Sequence, residues 1–145
     1  MVNDFQIKEI LNTTQMIALV GLSREKNKDS YIVAEYLQKR GYSIIPINPF
    51  ADEILGEKCY PDLNRLPVGL KARLDIVDIF RPSNEVLPII DEVIKIKFKY
   101  DTVKVVWMQL GIFNEEAAEK AEAVGLTVVM DRCIMEEHKR LMPKD

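Results

Sequence analysis

The run Ile17-Ala18-Leu19-Val20-Gly21-Leu22-Ser23 constrains this chain more than any other feature. It passes through one glycine into the polar segment Arg24 to Ser30, and then into an amphipathic stretch from Tyr31 to Arg40. An apolar strand, a glycine, a polar loop and a helix in that order open a parallel α/β sheet of the phosphate-holding kind. The helix N-terminus there presents unpaired N–H groups and a partial positive charge to an anion. A nucleotide-type ligand is expected.

The same turn departs from the dinucleotide fingerprint. Dehydrogenases carry G-x-G-x-x-G here, with an Asp or Glu about 20 residues further on that binds the ribose hydroxyls. This loop has only Gly21, and the second apolar run, Tyr42-Ser43-Ile44-Ile45-Pro46-Ile47, ends in Asn48-Pro49 without a carboxylate. The missing acid removes an obstacle to a phosphate on the ribose, while Arg24, Lys26 and Lys28 supply cations. A phosphorylated adenosine suits this pattern better than NAD, which counts against an NAD(P)-dependent oxidoreductase.

Length and charge exclude several classes. The chain has 145 residues, enough for one domain with a real core, so residues 1–145 are expected to form a single unit behind a leading helix within 1–15. A net charge of -3 gives no basic field for nonspecific nucleic-acid binding. No apolar stretch is long enough for a membrane span or a signal sequence. Cys59 and Cys133 are the only cysteines; without an export signal they are expected as reduced thiols in a cytoplasmic protein. The single histidine, His138, argues against zinc, lacks a Ser or Asp partner for a triad, and reads as a solvated or helix-end imidazole.

Strands and helices alternate along the rest. Asp4 to Asn12 is predicted as the leading helix, carrying Phe5, Ile7, Ile10 and Leu11 and closed by Thr13-Thr14. Met16 to Val20 is the first strand. A helix follows from about Ser30 to Arg40, N-capped by Asp29 or Ser30 and stopped by Gly41, with Val33, Tyr36 and Leu37 on its apolar face. After the second strand, Pro49 to Arg73 holds at most a short helix or edge segment around Asp62 to Leu66. Leu74 to Phe80 is the third strand, stopped by Arg81-Pro82. Ser83 would cap a helix striped by Leu87, Ile90 and Ile94, with Pro88 tolerated in its first turn. Val103 to Met108 is the fourth strand, and Asn114 caps a helix with Ala117, Ala121 and Val124 inward. Leu126 to Met130 is the fifth strand, and a last helix starts near Asp131.

Five apolar strands alternating with helices imply an α/β fold: a Rossmann-like, doubly wound parallel sheet of about five strands with helices on both faces. Ligands of such sheets lie beyond the carboxyl ends of the strands, where the strand order reverses. The loops at issue are Gly21 to Ser30, Asn48 to Phe50, Phe80 to Ser83, Gln109 to Asn114 and Asp131 to Cys133.

Six motifs in order carry a family resemblance: V-G-L-S-R-E-K-N-K-D-S at 20–30, G-Y-S-I-I-P-I-N-P at 41–49, I-L-G-E-K-C-Y at 54–60, D-I-V-D-I-F-R-P-S at 75–83, V-V-W-M-Q-L-G-I at 105–112 and V-V-M-D-R-C-I at 128–134. They span most of the chain from Met16 to Leu141. The chain resembles the small stand-alone CoA-binding proteins, related to the CoA-binding domain of the succinyl-CoA synthetase alpha subunit. The resemblance implies coenzyme A or an acyl-CoA as a small-molecule ligand, bound through phosphate-binding loops and without catalysis, since the synthetase's phosphohistidine region and nucleotide-binding partner subunit have no counterpart here. Other readings are a small subunit of a CoA-transferring complex and a regulatory module that reports CoA status to an unknown partner.

Residue chemistry can be set beside that implication. Gly21 would let the backbone approach the pyrophosphate, Ser23 and Ser30 offer hydroxyls, and Arg24 and Lys28 offer cations, unless these are solvated loop charges. Asn48-Pro49 either holds a ribose hydroxyl or starts a turn. Arg81 either meets a phosphate or forms an ion pair with Asp75 or Asp78, while Phe80 and Pro82 could flank the adenine, Phe80 alternatively being core. Gln109 and Gly111 could face the pantetheine arm, Gln109 alternatively bracing the loop, and Trp107 reads as core. Cys133, placed in the first turn of the last helix beside Arg132, is either a small packed thiol or a thiolate able to form a mixed disulfide with the CoA thiol.

Overall fold

The computed structural model describes residues 2–143. The chain opens with α1 (Asp4–Thr13), β1 (Met16–Val20), α2 (Asp29–Lys39) and β2 (Ser43–Ile47). A small hairpin of β3 (Glu53–Ile54) and β4 (Glu57–Lys58) follows, then a 3-10 turn at Leu63–Arg65 and α3 (Val68–Lys71). The second half runs β5 (Ile76–Ile79), a 3-10 turn at Ser83–Glu85, α4 (Val86–Tyr100), β6 (Val105–Met108), α5 (Glu115–Ala123), β7 (Thr127–Val129) and α6 (Ile134–Leu141).

The main sheet is parallel, in the order β2-β1-β5-β6-β7. From β1 the chain moves outward to β2 and then returns to the other side of β1 as β5, so the strand order reverses between β1 and β5. Loops leaving those two strands diverge and open a crevice between them. In register, Leu19 lies between Pro46 and Asp78.

Both faces are covered, which is why all five residues of β1 are buried. Alternate residues serve opposite layers. Ile17 and Leu19 pack with Ile7 and Leu11 of α1, Val33 and Leu37 of α2, and Ile134 of α6. Ala18 and Val20 pack with Val86, Ile90 and Val93 of α4, Ala117 and Ala121 of α5, and Leu63 of the first 3-10 turn. The expected doubly wound α/β architecture is present.

Several boundaries differ from the sequence expectation, each for a local reason. Leu74, Val103 and Leu126 are buried but precede their strands; Val103 has φ 58, which takes it out of the extended ladder. The N-cap of α2 is Lys28, not Asp29 or Ser30, because the Ser30 hydroxyl is engaged by the preceding loop. Ser83 does not cap α4; it lies in a 3-10 turn, and its side chain accepts from Phe113 N–H. That turn shifts the buried stripe of α4 to Val86, Ile89, Ile90, Val93 and Ile96, leaving Leu87 and Ile94 only partly covered. α6 begins at Ile134 rather than near Asp131, whose φ of 57 breaks the helical path. Asn114 does cap α5, accepting from Ala117 N–H at 2.9 Å.

The β3–β4 hairpin has no counterpart in the sequence expectation. Its two turn residues, Leu55 and Gly56, both have positive φ, as a two-residue hairpin turn requires. Beyond it Tyr60 bridges to Ile47, donating its N–H to Pro46 O and accepting from Asn48 N–H, so this segment covers part of the β2 edge. Asp62 caps the 3-10 turn within the stretch expected to hold a short helix.

Candidate ligand-binding site

At the crevice, Gly21 takes φ +91, and a Cβ there would fall 2.8 Å from Arg81 Cδ and 3.4 Å from the Phe80 carbonyl carbon. Only glycine lets the β1 and β5 ends come this close. Gly21 N–H donates to Ile47 O, which ties the turn to β2. The next residues brace themselves: Ser23 N–H donates to the Ser30 hydroxyl and Glu25 N–H to the Ser23 hydroxyl, at 2.9 and 3.0 Å. Each hydroxyl keeps its own hydrogen to donate. No side chain caps α2, so its first-turn N–H groups keep their capacity for an anion.

Two depressions meet at Gly21 and Ser23, one over each face of the sheet, and each has about 610 Å³. That is an ordinary size for a small-molecule pocket. Lobe 1 lies over the α2 and α6 side. Its walls are Lys28 at the N-cap of α2 with Asp29, Ser30, Ile32 and Val33 at its start, then Phe80, Gln109, Leu110 and Ile112, and Cys133, Met135 and Glu136 at the start of α6. Gln109 is buried and accepts from Ile134 N–H at 3.1 Å, which holds the start of α6 against the end of β6. Cys133 is the N-cap of α6, half-buried, and offers no side-chain cap bond.

Lobe 2 lies over the α4 side and is walled by rings and carboxylates. Pro49, Phe50, Pro61 and Pro88 face it together with Ile89, and Asp62, Glu85 and Glu92 bring acceptors. Phe50 is 84% exposed at the rim. Arg81 lines this lobe and donates to both Glu85 oxygens at 3.0 Å. Glu92 is half-buried and accepts from Asn64 N–H at 3.3 Å. Burial pushes its carboxyl above the usual range, and the nearby Asp62 charge adds to that rise.

The sequence of this chain matches the CoA binding domain family across residues 15–139. The chain belongs to that family. It is 38% identical over 133 residues to the uncharacterized protein YneT of Bacillus subtilis, covering 92% of each chain. A solved hypothetical protein from Pyrococcus horikoshii has the same fold at a TM-score of 0.88 and 38% identity, with 98% of this chain and 94% of that one covered. The dinucleotide-forming acetyl-coenzyme A synthetase 1 of Candidatus Korarchaeum cryptofilum matches 81% of this chain at 31% identity and a TM-score of 0.65, but this chain spans only 26% of it. An ADP-forming acetate–CoA ligase of Methanocaldococcus jannaschii also matches 61% of this chain at 29% identity, with this chain spanning 12% of it.

Most of the candidate residues converge on the groove of this CoA binding domain. Lobe 1 collects Lys28, Ser30, Phe80, Gln109 and Cys133, lobe 2 collects Asn48, Pro49 and Arg81, and both share Gly21 and Ser23. Arg24, Pro82 and Gly111 line neither lobe. Arg24 instead reaches Phe50 O at 3.3 Å, and Gly111 N–H donates to Asp131 at 2.6 Å. Asn48 does brace the turn, donating to Leu22 O and accepting from Phe50 N–H. The ion-pair partner of Arg81 is Glu85, not Asp75 or Asp78: Asp75 accepts from Gln15 and Met16 N–H, and Asp78 is sealed in the core. Phe80 both packs against the core and lines lobe 1.

Three features escaped the sequence. Glu92 and Asp62 line lobe 2 although neither sits at a strand end, because α4 and the first 3-10 turn fold back over the crevice. His138 is not solvated: it is buried, and its Nδ1 is 2.8 Å from the Tyr36 hydroxyl, with Tyr42 edge-on beside it. Asp78 is fully buried on β5, and among the described residues neither carboxyl oxygen has a hydrogen-bond partner. Burial drives its pKa well above the usual carboxylate range, because a charge there would be cut off from solvent.

Proposed function

We propose that this chain binds coenzyme A or an acyl-CoA along the two-lobed groove and performs no catalysis of its own. The observation that carries the reading is the meeting of both lobes at Gly21 and Ser23, in front of an uncapped helix N-terminus. A pyrophosphate at that ridge would lie against backbone N–H groups, the two serine hydroxyls and Lys28. Gly21 fits this role, since the space a side chain would need there is taken by Arg81.

The chemistry of the lobes orients the ligand. Lobe 2 offers flat rings and Arg81, which suits an adenosine with a phosphate on its ribose. Lobe 1 offers Ile32, Val33, Leu110 and Ile112 with the Gln109 amide and the Cys133 thiol, which suits a pantetheine arm of methylenes and amides ending in sulfur. Calorimetric titrations of CoA, NAD and NADP at one salt concentration test the reading, together with the mass of any ligand retained through purification. CoA should bind far more tightly than NAD; equal affinities or a preference for NAD would overturn the assignment.

A second reading has one observation in its favour. The Korarchaeum relative carries a similar domain as about a quarter of its own chain, by the 26% coverage, so this chain could serve as the CoA-holding part of a CoA-transferring enzyme. Release of acyl product from an acyl-CoA by the purified chain, or by a complex recovered with it, would favour that reading. Binding without turnover favours the first.

A further inference from the structure

We propose that Glu92 reads the base: its open carboxylate oxygen accepts a hydrogen bond from the exocyclic amine of a purine, so the groove takes 6-aminopurine ligands over 6-oxopurine ones. The inference rests on the assignment of the nucleotide half of CoA to lobe 2, and goes beyond it by naming the group that sets base specificity.

The lobe is shaped for a flat aromatic ring. Pro49, Phe50, Pro61 and Pro88 present ring faces or edges, and Ile89 closes one side. These surfaces hold any base without telling one from another. Discrimination needs a polar group that is both fixed and short of partners. Asp62 is already engaged, accepting from Arg65 N–H at 3.0 Å with the Arg65 guanidinium 3.6 Å away. Glu85 is held by Arg81. Glu92 differs from both: among the described residues one of its oxygens takes the single donor Asn64 N–H, at 3.3 Å, and the other is left to the lobe it lines.

That donor matters for specificity as well as for position. Anchored at one oxygen and half-buried on the helix, the carboxylate has little freedom to swing into solvent, and it is acceptor-only when ionised. An amine at position 6 of the purine supplies the donor it lacks. A carbonyl oxygen at the same position sets acceptor against acceptor, and the neighbouring N1–H reaches the carboxylate only if the base shifts out of the place the amine would take.

Calorimetry with CoA and with its deaminated 6-oxopurine analogue tests the proposal on wild type, Glu92→Leu and Glu92→Gln. Wild type should prefer CoA by roughly 10- to 100-fold, the range for a hydrogen bond to a charged group. In Glu92→Leu the two affinities should converge through loss of CoA affinity while the analogue still binds. In Glu92→Gln, whose amide can both accept and donate and can still take the Asn64 N–H, the preference should shrink or invert. Equal binding of both compounds to wild type, or a preference that survives in both variants, would overturn the proposal and leave the CoA reading intact. Failure of wild type to bind either compound would overturn the CoA reading and this inference with it.

Discussion

Among the described residues each side of the sheet holds one carboxyl group whose pKa is raised chiefly by burial, and the two are opposites in use. Asp78 lies on the same side of β5 as Ile76, in the layer beneath lobe 1, completely sealed and, among the described residues, with no partner for either oxygen. Glu92 sits on the helix beside lobe 2, half-exposed, with one donor and an opening onto the groove. Desolvation alone therefore does not mark a functional carboxyl. A raised pKa points to a site only when the group can still reach a ligand.

The sharpest way to break that contrast is Asp78→Leu. Burial lifts the folded-state pKa of Asp78 above its unfolded value of about 3.9. Its contribution to stability is thus greatest below about pH 4 and is lost as pH rises toward the folded-state pKa. Leucine keeps the branched outline of aspartate without polar atoms, and its bulkier methyl groups give back part of the gain, so the variant should gain roughly 1–3 kcal/mol of unfolding free energy at pH 7. The gain should shrink as pH falls toward 4 in denaturant titrations. CoA affinity should not change. A loss of affinity with no gain in stability would place Asp78 in the site and erase the distinction.

The lobes should also separate by ligand chemistry. Arg81→Ala should cost about 1.5–3 kcal/mol of CoA affinity if its guanidinium meets the 3′-phosphate, and should leave dephospho-CoA untouched. Lys28→Ala should weaken both ligands by a similar amount, because the pyrophosphate is common to them. Equal losses for Arg81→Ala on the two ligands would move that residue to the pyrophosphate. No loss for Lys28→Ala would make it a solvated charge.

Much of this layout was legible in the sequence for a physical reason. Buried parallel strands need continuous apolar runs, and phosphate-holding turns need a glycine before a helix, so Met16–Val20, Gly21 and the start of α2 could be placed from residue types alone. The ends of β1, β2 and β5 then named Gly21, Asn48 and Arg81 as neighbours, and the structure brings them to one groove. What stayed hidden depends on contacts far apart in the chain. Glu92 reaches lobe 2 only because α4 and the Leu63–Arg65 turn pack together, with Asn64 N–H holding its carboxylate. The burial of His138 follows from α6 settling against α2 and Tyr42. Likewise Arg24 leaves the groove because Phe50 O lies within its reach, a partner that no local pattern announces.

Gly21→Ala tests the ridge that both lobes share. The residue has φ +91, so alanine should cost about 1 kcal/mol or somewhat more of stability from backbone strain. Arg81 must also retreat from the new Cβ. Affinity for CoA and for dephospho-CoA should fall together, in contrast to the split expected for Arg81→Ala. A variant with unchanged binding would show that the ridge does not carry the phosphates.

The smallest effect concerns Glu85, whose carboxylate holds the Arg81 guanidinium in the ligand-free protein. Both side chains are about half exposed, so the pair is worth only about 0.2–1 kcal/mol. A phosphate entering lobe 2 must compete with Glu85 for the same donors and must also approach its negative charge. Glu85→Gln removes the charge and keeps the shape, so CoA affinity should rise by about the same 0.2–1 kcal/mol, with the gain fading at high salt. Dephospho-CoA should show little of it, since that ligand has no ribose phosphate to draw Arg81 away. A fall in CoA affinity would mean that Glu85 positions Arg81 for the ligand rather than competing with it. The ion pair would then belong to the binding site as a unit, and lobe 2 would be preorganised as firmly as lobe 1.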